Sequence, residues 1–190
     1  MHVGDERSVN LLGAWVLAMA EAMREAAERS TGMSGAGPAA LVAIAAESGM
    51  SVDTLRRALG LTHPGAVRLV DRLEQRGWVE RGAAPGRAVA LRPTAAGLAA
   101  RDALLAARHD ALFAQLERLG PDRERLAALI EPLLLEQATD QTELRRLCRL
   151  CDRVACAPCP PWTHLHSAST DQATAGSGAR DEAEGGGGDG

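Results

Sequence analysis

Lysine and tyrosine are missing from this chain of 190 residues, so all 21 of its basic side chains are arginine. Alanine and glycine abound at the same time, a bias of the kind GC-rich coding produces. Arginine content alone therefore says little about a nucleic-acid partner. No run of eighteen apolar residues occurs, which gives no candidate for a membrane-spanning helix. The start, MHVGDERSVN, lacks the basic-then-apolar order of a secretion signal, so the chain reads as cytoplasmic. Neither a pair of catalytic carboxylates, a Ser-His-Asp grouping nor a phosphate-cradling glycine loop stands out. Gly35-Ala36-Gly37 lacks the preceding strand that a nucleotide fold requires, and the reading is of a protein that is not an enzyme.

What is present is a charge asymmetry. Residues 51–97 carry eight arginines against four acids, whereas residues 1–50, 98–163 and 164–190 are each net negative. A single basic block in a chain of net charge −4 is the electrostatic footprint of a lobe that meets phosphate. An ordinary solvated surface is the bland alternative.

Within that block, Thr62 to Trp78 reads THPGAVRLVDRLEQRGW. Thr62 suits an N-cap, Pro64 a first turn and Gly77 a stop, which predicts a short helix. Val67, Val70 and Leu73, with Leu69 nearby, mark its packed side, and Arg68, Asp71, Arg72, Gln75 and Arg76 its outer side. Ahead of it, Ala39–Glu47 and Ser51–Leu59 read as two further short helices, the second turning through Gly60 and Leu61 into Thr62. Two short helices joined by a tight turn form a helix-turn-helix, whose second helix can enter a major groove. After Gly77, Trp78–Arg81 and Arg87–Leu91 are strand candidates around Pro85-Gly86, a two-stranded wing with Arg87 near its tip.

Long amphipathic helices flank this unit. Asn10–Arg29 repeats Leu11, Leu12, Trp15, Val16, Met19, Ala20 and Met23 at helical steps, a broad apolar face suited to a dimer interface or to packing within one chain. Thr94 to about Leu119 predicts another, with Leu98, Leu104, Leu105, Leu112, Phe113 and Leu116 in line. A third starts at Pro121 with a kink expected at Pro132, and a fourth spans about Asp140–Leu150.

The order Leu59-Gly60-Leu61-Thr62, then Ala66 through Glu74, Gly77, Val79, Arg81, Gly86-Arg87, Leu91 and Thr94 through Gly97 resembles the MarR (multiple antibiotic resistance regulator) family. The resemblance covers residues 8–150 in helix order, with its motifs in the winged helix. It implies a mainly α fold with a small two-stranded β-wing. Residues 1–30 and 98–147 would be dimerisation helices and 31–97 the DNA-binding lobe. It also implies a homodimer reading a pseudo-palindromic operator in double-stranded DNA, released by a small-molecule effector lodged between lobe and dimer helices. Thr62, His63, Gly65, Arg68, Arg72, Arg81 and Arg87 become the candidate DNA contacts. Two departures stand out: Pro85 replaces the family's usual wing aspartate, and Pro64 replaces a small polar residue of the recognition helix. They keep alive a protein-docking module as the alternative, or a metal or redox sensor without direct DNA readout.

All four cysteines, Cys148, Cys151, Cys156 and Cys159, fall within residues 148–166, as two C-x-x-C pairs. Four thiolates can complete a tetrahedral zinc sphere, which is the leading expectation; an Fe-S cluster and a thiol redox switch stay open. His164 and His166 are close enough in sequence to replace a cysteine. Residues 167–190, rich in Ser, Thr, Ala, Gly and acid, predict a disordered tail.

Overall fold

The computed structural model describes residues 3–83 and 89–165. Seven helices and one two-stranded sheet occur among them: α1 Val3–Thr31, α2 Gly37–Ala46, α3 Val52–Leu59, α4 His63–Gln75, β1 Val79–Ala83, β2 Val89–Pro93, α5 Ala95–Leu116, α6 Arg123–Gln137 and α7 Gln141–Leu147. The fold class is the one the sequence predicts, mostly helical with an antiparallel wing. A 3-10 stretch, Glu117–Asp122, joins α5 to α6.

Local chemistry sets the helix ends. Ser51, Thr62, Thr94 and Asp140 each accept a hydrogen bond from a first-turn N–H of the helix that follows. Gly60 closes α3 at φ 65°, a left-handed conformation that lets its N–H reach the carbonyls of Arg56 and Arg57. α1 begins seven residues earlier than its apolar period suggested, with Asp5 and Glu6 in its first turn where the helix dipole favours acids. α6 runs unbroken through Pro132, while the chain turns sharply at Gly120, φ 52° and ψ −124°.

The main core lies under the helix-turn-helix. Leu41, Ile44, Met50, Leu55, Leu69, Val70, Leu73, Val79 and Leu91 interlock there, drawn from α2, the turn after it, α3, α4 and both strands. On α4 the buried positions are Ala66, Leu69, Val70 and Leu73, an i, i+3, i+4, i+7 face. Val67, expected in the stripe, sits at its margin, because the face is centred on Leu69 and Val70. A second, smaller cluster of Ala27, Val42 and Leu104 pins α1, α2 and α5 together, with Leu105 and Leu150 against it.

β1 and β2 pair antiparallel, Val79 opposite Pro93 and Ala83 opposite Val89. Ser51 adds a bridge to Ala90, and the Leu91 N–H donates to Met50 O at 2.9 Å, so the segment before α3 lies along the wing's base. α5 starts hard against the end of α4. Thr94 Oγ1 donates to Gly77 O at 2.5 Å, and a Cβ at Gly97 would stand 1.9 Å from Trp78 O. Only glycine permits that approach.

Candidate nucleic-acid interface

α4 presents His63, Arg68, Arg72, Gln75 and Arg76 to solvent, while its other side fills the core. Arg68, Arg72 and Gln75 border an open groove with Gly65 and Asp71. Neither Arg68 nor Arg72 is ion-paired to any described residue, so two guanidinium groups one helical turn apart stand free on an exposed face. An unpaired guanidinium offers several N–H donors in a planar fork, suited to a phosphate or to a guanine edge. His63 is exposed at the first position of the helix.

The remaining candidates divide. Thr62 Oγ1 accepts from Gly65 N–H at 3.2 Å, so the hydroxyl caps α4, and a Cβ at Gly65 would sit 3.0 Å from that oxygen. Arg81, expected on phosphate, lies between α4 and the wing, its side chain 29% exposed. Its guanidinium bonds Glu74, and its Nη2 lies 2.8 Å from an Asp71 carboxylate oxygen, while its own N–H donates to Glu74 Oε1 at 3.1 Å. This fork fixes β1 to the recognition helix. Arg87 and Pro85, with the rest of the wing tip, lie outside the described residues. At the wing's base Asp71, Glu74 and Arg81 carry an ion-pair anchor of their own.

Two arginines matter in ways the sequence reading missed. Arg76 Nη1 and Nη2 donate to Thr31 O at 2.6 Å and Gly32 O at 3.0 Å, and its guanidinium lies 5.1 Å from the Trp78 ring centroid. It thereby ties the end of α4 to the end of α1. Arg92, exposed on β2, lies over Gly82, where a Cβ would come within 2.0 Å of its Nη1. A glycine three residues after a strand valine, diagonal to an arginine on the paired strand, was the available signal. Arg56 and Arg57 both hold Asp53, whose carboxyl is lowered below its usual pKa chiefly by Arg56 and then Arg57.

The four cysteines are reduced and line one cavity of about 350 Å³ with Arg153, Pro158 and Trp162. The Cys148 thiol donates to Cys151, the main reason the Cys151 thiol falls to about 6; burial opposes the fall, and Arg108, Arg153 and Arg149 add to it. Cys148 is pushed up by the same bond and by burial, and Cys156 by burial and by Cys159. Among the described residues, no three His, Cys, Asp or Glu side chains come together in an arrangement able to hold a metal ion. The four-thiolate zinc reading therefore has no such group to rest on among the described residues. His164 is described, and His166 lies outside the described residues.

No described helix is long and apolar enough to cross a membrane. Outside the lobe, α1 leaves Val9, Leu11, Leu12, Trp15, Val16 and Leu17 between 40% and 73% exposed. Leu129 and Leu133 of α6 are exposed likewise.

Residues 31–88 match the sequence profile of the MarR family. Among solved structures, a MarR-family transcriptional regulator from Rhodococcus sp. RHA1 is 26% identical, with a TM-score of 0.56 over 70% of this chain and 93% of that one. MepR, a transcription regulator of the Staphylococcus aureus multidrug efflux pump MepA, shares the fold at 17% identity, TM-score 0.59, over 65% and 93%. A Mycobacterium tuberculosis MarR-family protein in complex with p-aminosalicylic acid shares it at 23% identity, TM-score 0.51, over 64% and 97%. No curated protein matches the chain. The chain is thus similar to the MarR family in the sequence of its winged-helix lobe and in the fold it shares with these transcription regulators.

Proposed function

We propose that this protein is a homodimeric, sequence-specific DNA-binding repressor of transcription, one α4 of each copy entering a major groove of a pseudo-palindromic operator. The observation that carries the reading is the pair of free, exposed guanidiniums of Arg68 and Arg72 on a helix whose opposite face is wholly buried. Such a helix is held rigidly while its arginines stay available. Arg68, nearer the N-terminal half of α4, is assigned to a base edge, and Arg72 and Arg87 to phosphates. Arg81 positions the wing rather than touching DNA.

The dimer follows from the apolar side chains of α1 and α6 that one chain leaves in water. α1 is 29 residues long, roughly 44 Å at the usual helical rise, and only its last turns reach the core. A second copy gives its first half a partner and sets the distance between the two recognition helices. Arg76 makes that distance matter at the groove, since it fastens α1 to α4.

Release is assigned to an effector between lobe and stalk, or to a redox or metal change at the cysteines. A cavity of about 230 Å³ opens there, lined by Met23, Arg24, Ala27, Met33, Ala39 and Arg149 among others. Its walls are mostly apolar, with Arg149 and the Arg24–Glu28 ion pair at the rim, and p-aminosalicylic acid, bound by the M. tuberculosis neighbour, is a natural first probe. A ligand that fits one lobe spacing better than another shifts the population toward it. Gel-shift titration with the DNA upstream of the protein's own gene tests the reading. Salt-sensitive binding that Arg68→Ala weakens supports it, and binding absent or indifferent to Arg68→Ala rejects it.

A further inference from the structure

The segment that follows α6 carries the chain to the side of the recognition helix. On α7, Leu144 is buried, and Arg145 forks onto Glu47 at the end of α2 through bonds of 2.9 and 2.8 Å. Arg146 reaches toward Gly60, in the turn that leads into α4, where a Cβ would lie 3.7 Å from its Nη2. Arg149 and Leu150 then wall one cavity together with Leu59 and Ala36, and Ala36 also borders the groove that holds Arg68 and Arg72. Trp162 and Thr163 line the cysteine cavity with Cys148, so the chain doubles back to the end of α7. Residues 166–190 therefore set out from beside the helix-turn-helix.

Those 25 residues carry Asp171, Asp181, Glu182, Glu184 and Asp189 against Arg180 alone, and no apolar side chain larger than alanine. They can span at most roughly 80–90 Å, whereas a lobe the size of residues 31–97 has a radius of gyration of about 11 Å, so the groove on α4 lies within their reach. Most guanidiniums around that groove are already engaged. Arg56 and Arg57 hold Asp53, Arg81 holds Asp71 and Glu74, and Arg76 holds the carbonyls of Thr31 and Gly32. Arg68 and Arg72 have no ion-pair partner among the described residues, and they flank an open groove of about 590 Å³. Exposed, unpaired cations attract a tethered run of acids wherever salt does not screen them.

We infer that the acidic segment 167–190 docks on the Arg68 and Arg72 face of α4 and competes there with DNA phosphate. The inference deepens the regulator reading and rests on it for the competition. A carboxylate offers a guanidinium the same paired oxygens that a phosphate does, so one fork cannot serve both at once. Each exposed ion pair is weak, and covalent attachment to the lobe supplies the effective concentration that makes several of them count. Salt loosens the docked segment and the bound duplex alike. The segment therefore lowers DNA affinity most in low salt and makes its salt dependence shallower.

The test compares the full chain with a full-length variant whose acids are made neutral amides: Asp171→Asn, Asp181→Asn, Glu182→Gln, Glu184→Gln and Asp189→Asn. Without DNA, the 15N-edited Nε–H signals of Arg68 and Arg72, assigned through Arg68→Lys and Arg72→Lys, should differ between the two chains at about 50 mM salt and coincide at about 500 mM. A synthetic peptide of residues 167–190 at millimolar concentration should move the variant's signals back toward the wild type's. With the operator duplex, the variant should bind about 3- to 10-fold tighter in low salt, and the gap should close as salt rises. Identical arginine signals in the two chains overturn the inference, as do shifts confined to arginines outside α4. Tighter DNA binding with unchanged signals overturns it too, since the acids then repel the duplex from a distance without docking. Shifted signals with equal operator affinity overturn the competition. If neither chain binds DNA while the arginine signals behave as stated, the regulator reading fails and the docking stands.

Discussion

The winged-helix lobe and the first half of α1 treat the same kind of side chain in opposite ways. In the lobe, Leu41, Ile44, Leu55, Leu69, Leu73 and Leu91 are each 0–1% exposed, whereas on α1 Leu12 is 61% and Leu17 73% exposed. Burying a leucine is worth about 1.5–3 kcal/mol, so the lobe collects that gain within one chain and the stalk does not. Short capped helices around a closed core can stand alone. A long helix with an uncovered apolar face is what the proposed second copy would cover.

The largest effect should come from charging that face. Leu12→Glu with Val16→Glu should leave the lobe folded by circular dichroism, convert the dimer to monomer in sedimentation equilibrium, and remove operator binding. A variant still dimeric would mean that the stalk is not the interface. Next, Leu69→Ala inside the lobe should cost about 2–5 kcal/mol in denaturant unfolding, as buried leucine truncations do. The matching Leu133→Ala on α6, 56% exposed in one chain, should lower subunit affinity while changing the unfolding of the lobe within the full chain little. Equal effects of the two on lobe unfolding would erase the contrast.

Arg68→Ala should cost about 1–3 kcal/mol of binding and relax preference at one operator position, with the thermal midpoint unchanged. Arg81→Ala should act differently, loosening the wing against α4 and weakening binding to all sequences alike, with about 0–1 kcal/mol lost in stability because its partners are partly exposed. The smallest effect belongs to Asp53. Its carboxyl is lowered below 3.8 in the folded chain, so its contribution is present above that pH and fades as the pH falls through the lowered value. Asp53→Asn should thus leave the melting temperature at neutral pH nearly unchanged, and flatten its decline only below about pH 4.

The contrast also explains what could be read from residues alone. Caps at Ser51, Thr62 and Thr94 and the turn at Gly60 are local, written within a few residues, and each appears where its side chain predicts. The recognition helix and wing were legible for that reason. The roles of Arg76 and Arg81 were not, since one closes on carbonyls 44 and 45 residues away and the other on carboxylates across a turn. Nothing in an arginine's neighbours along the chain tells a strut from a phosphate contact. The cysteine spacing likewise suggested four ligands round one ion, but how the thiols face one another round their shared cavity is set by how the chain folds back after α7.

The central claim is that two copies hold free arginines against a duplex. The salt dependence of operator affinity, measured for the wild type and Arg72→Ala, probes it directly. A phosphate contact in each copy should make the slope of log affinity against log salt shallower by about 2 on losing Arg72, since each contact contributes roughly 0.9. An unchanged slope would contradict the account.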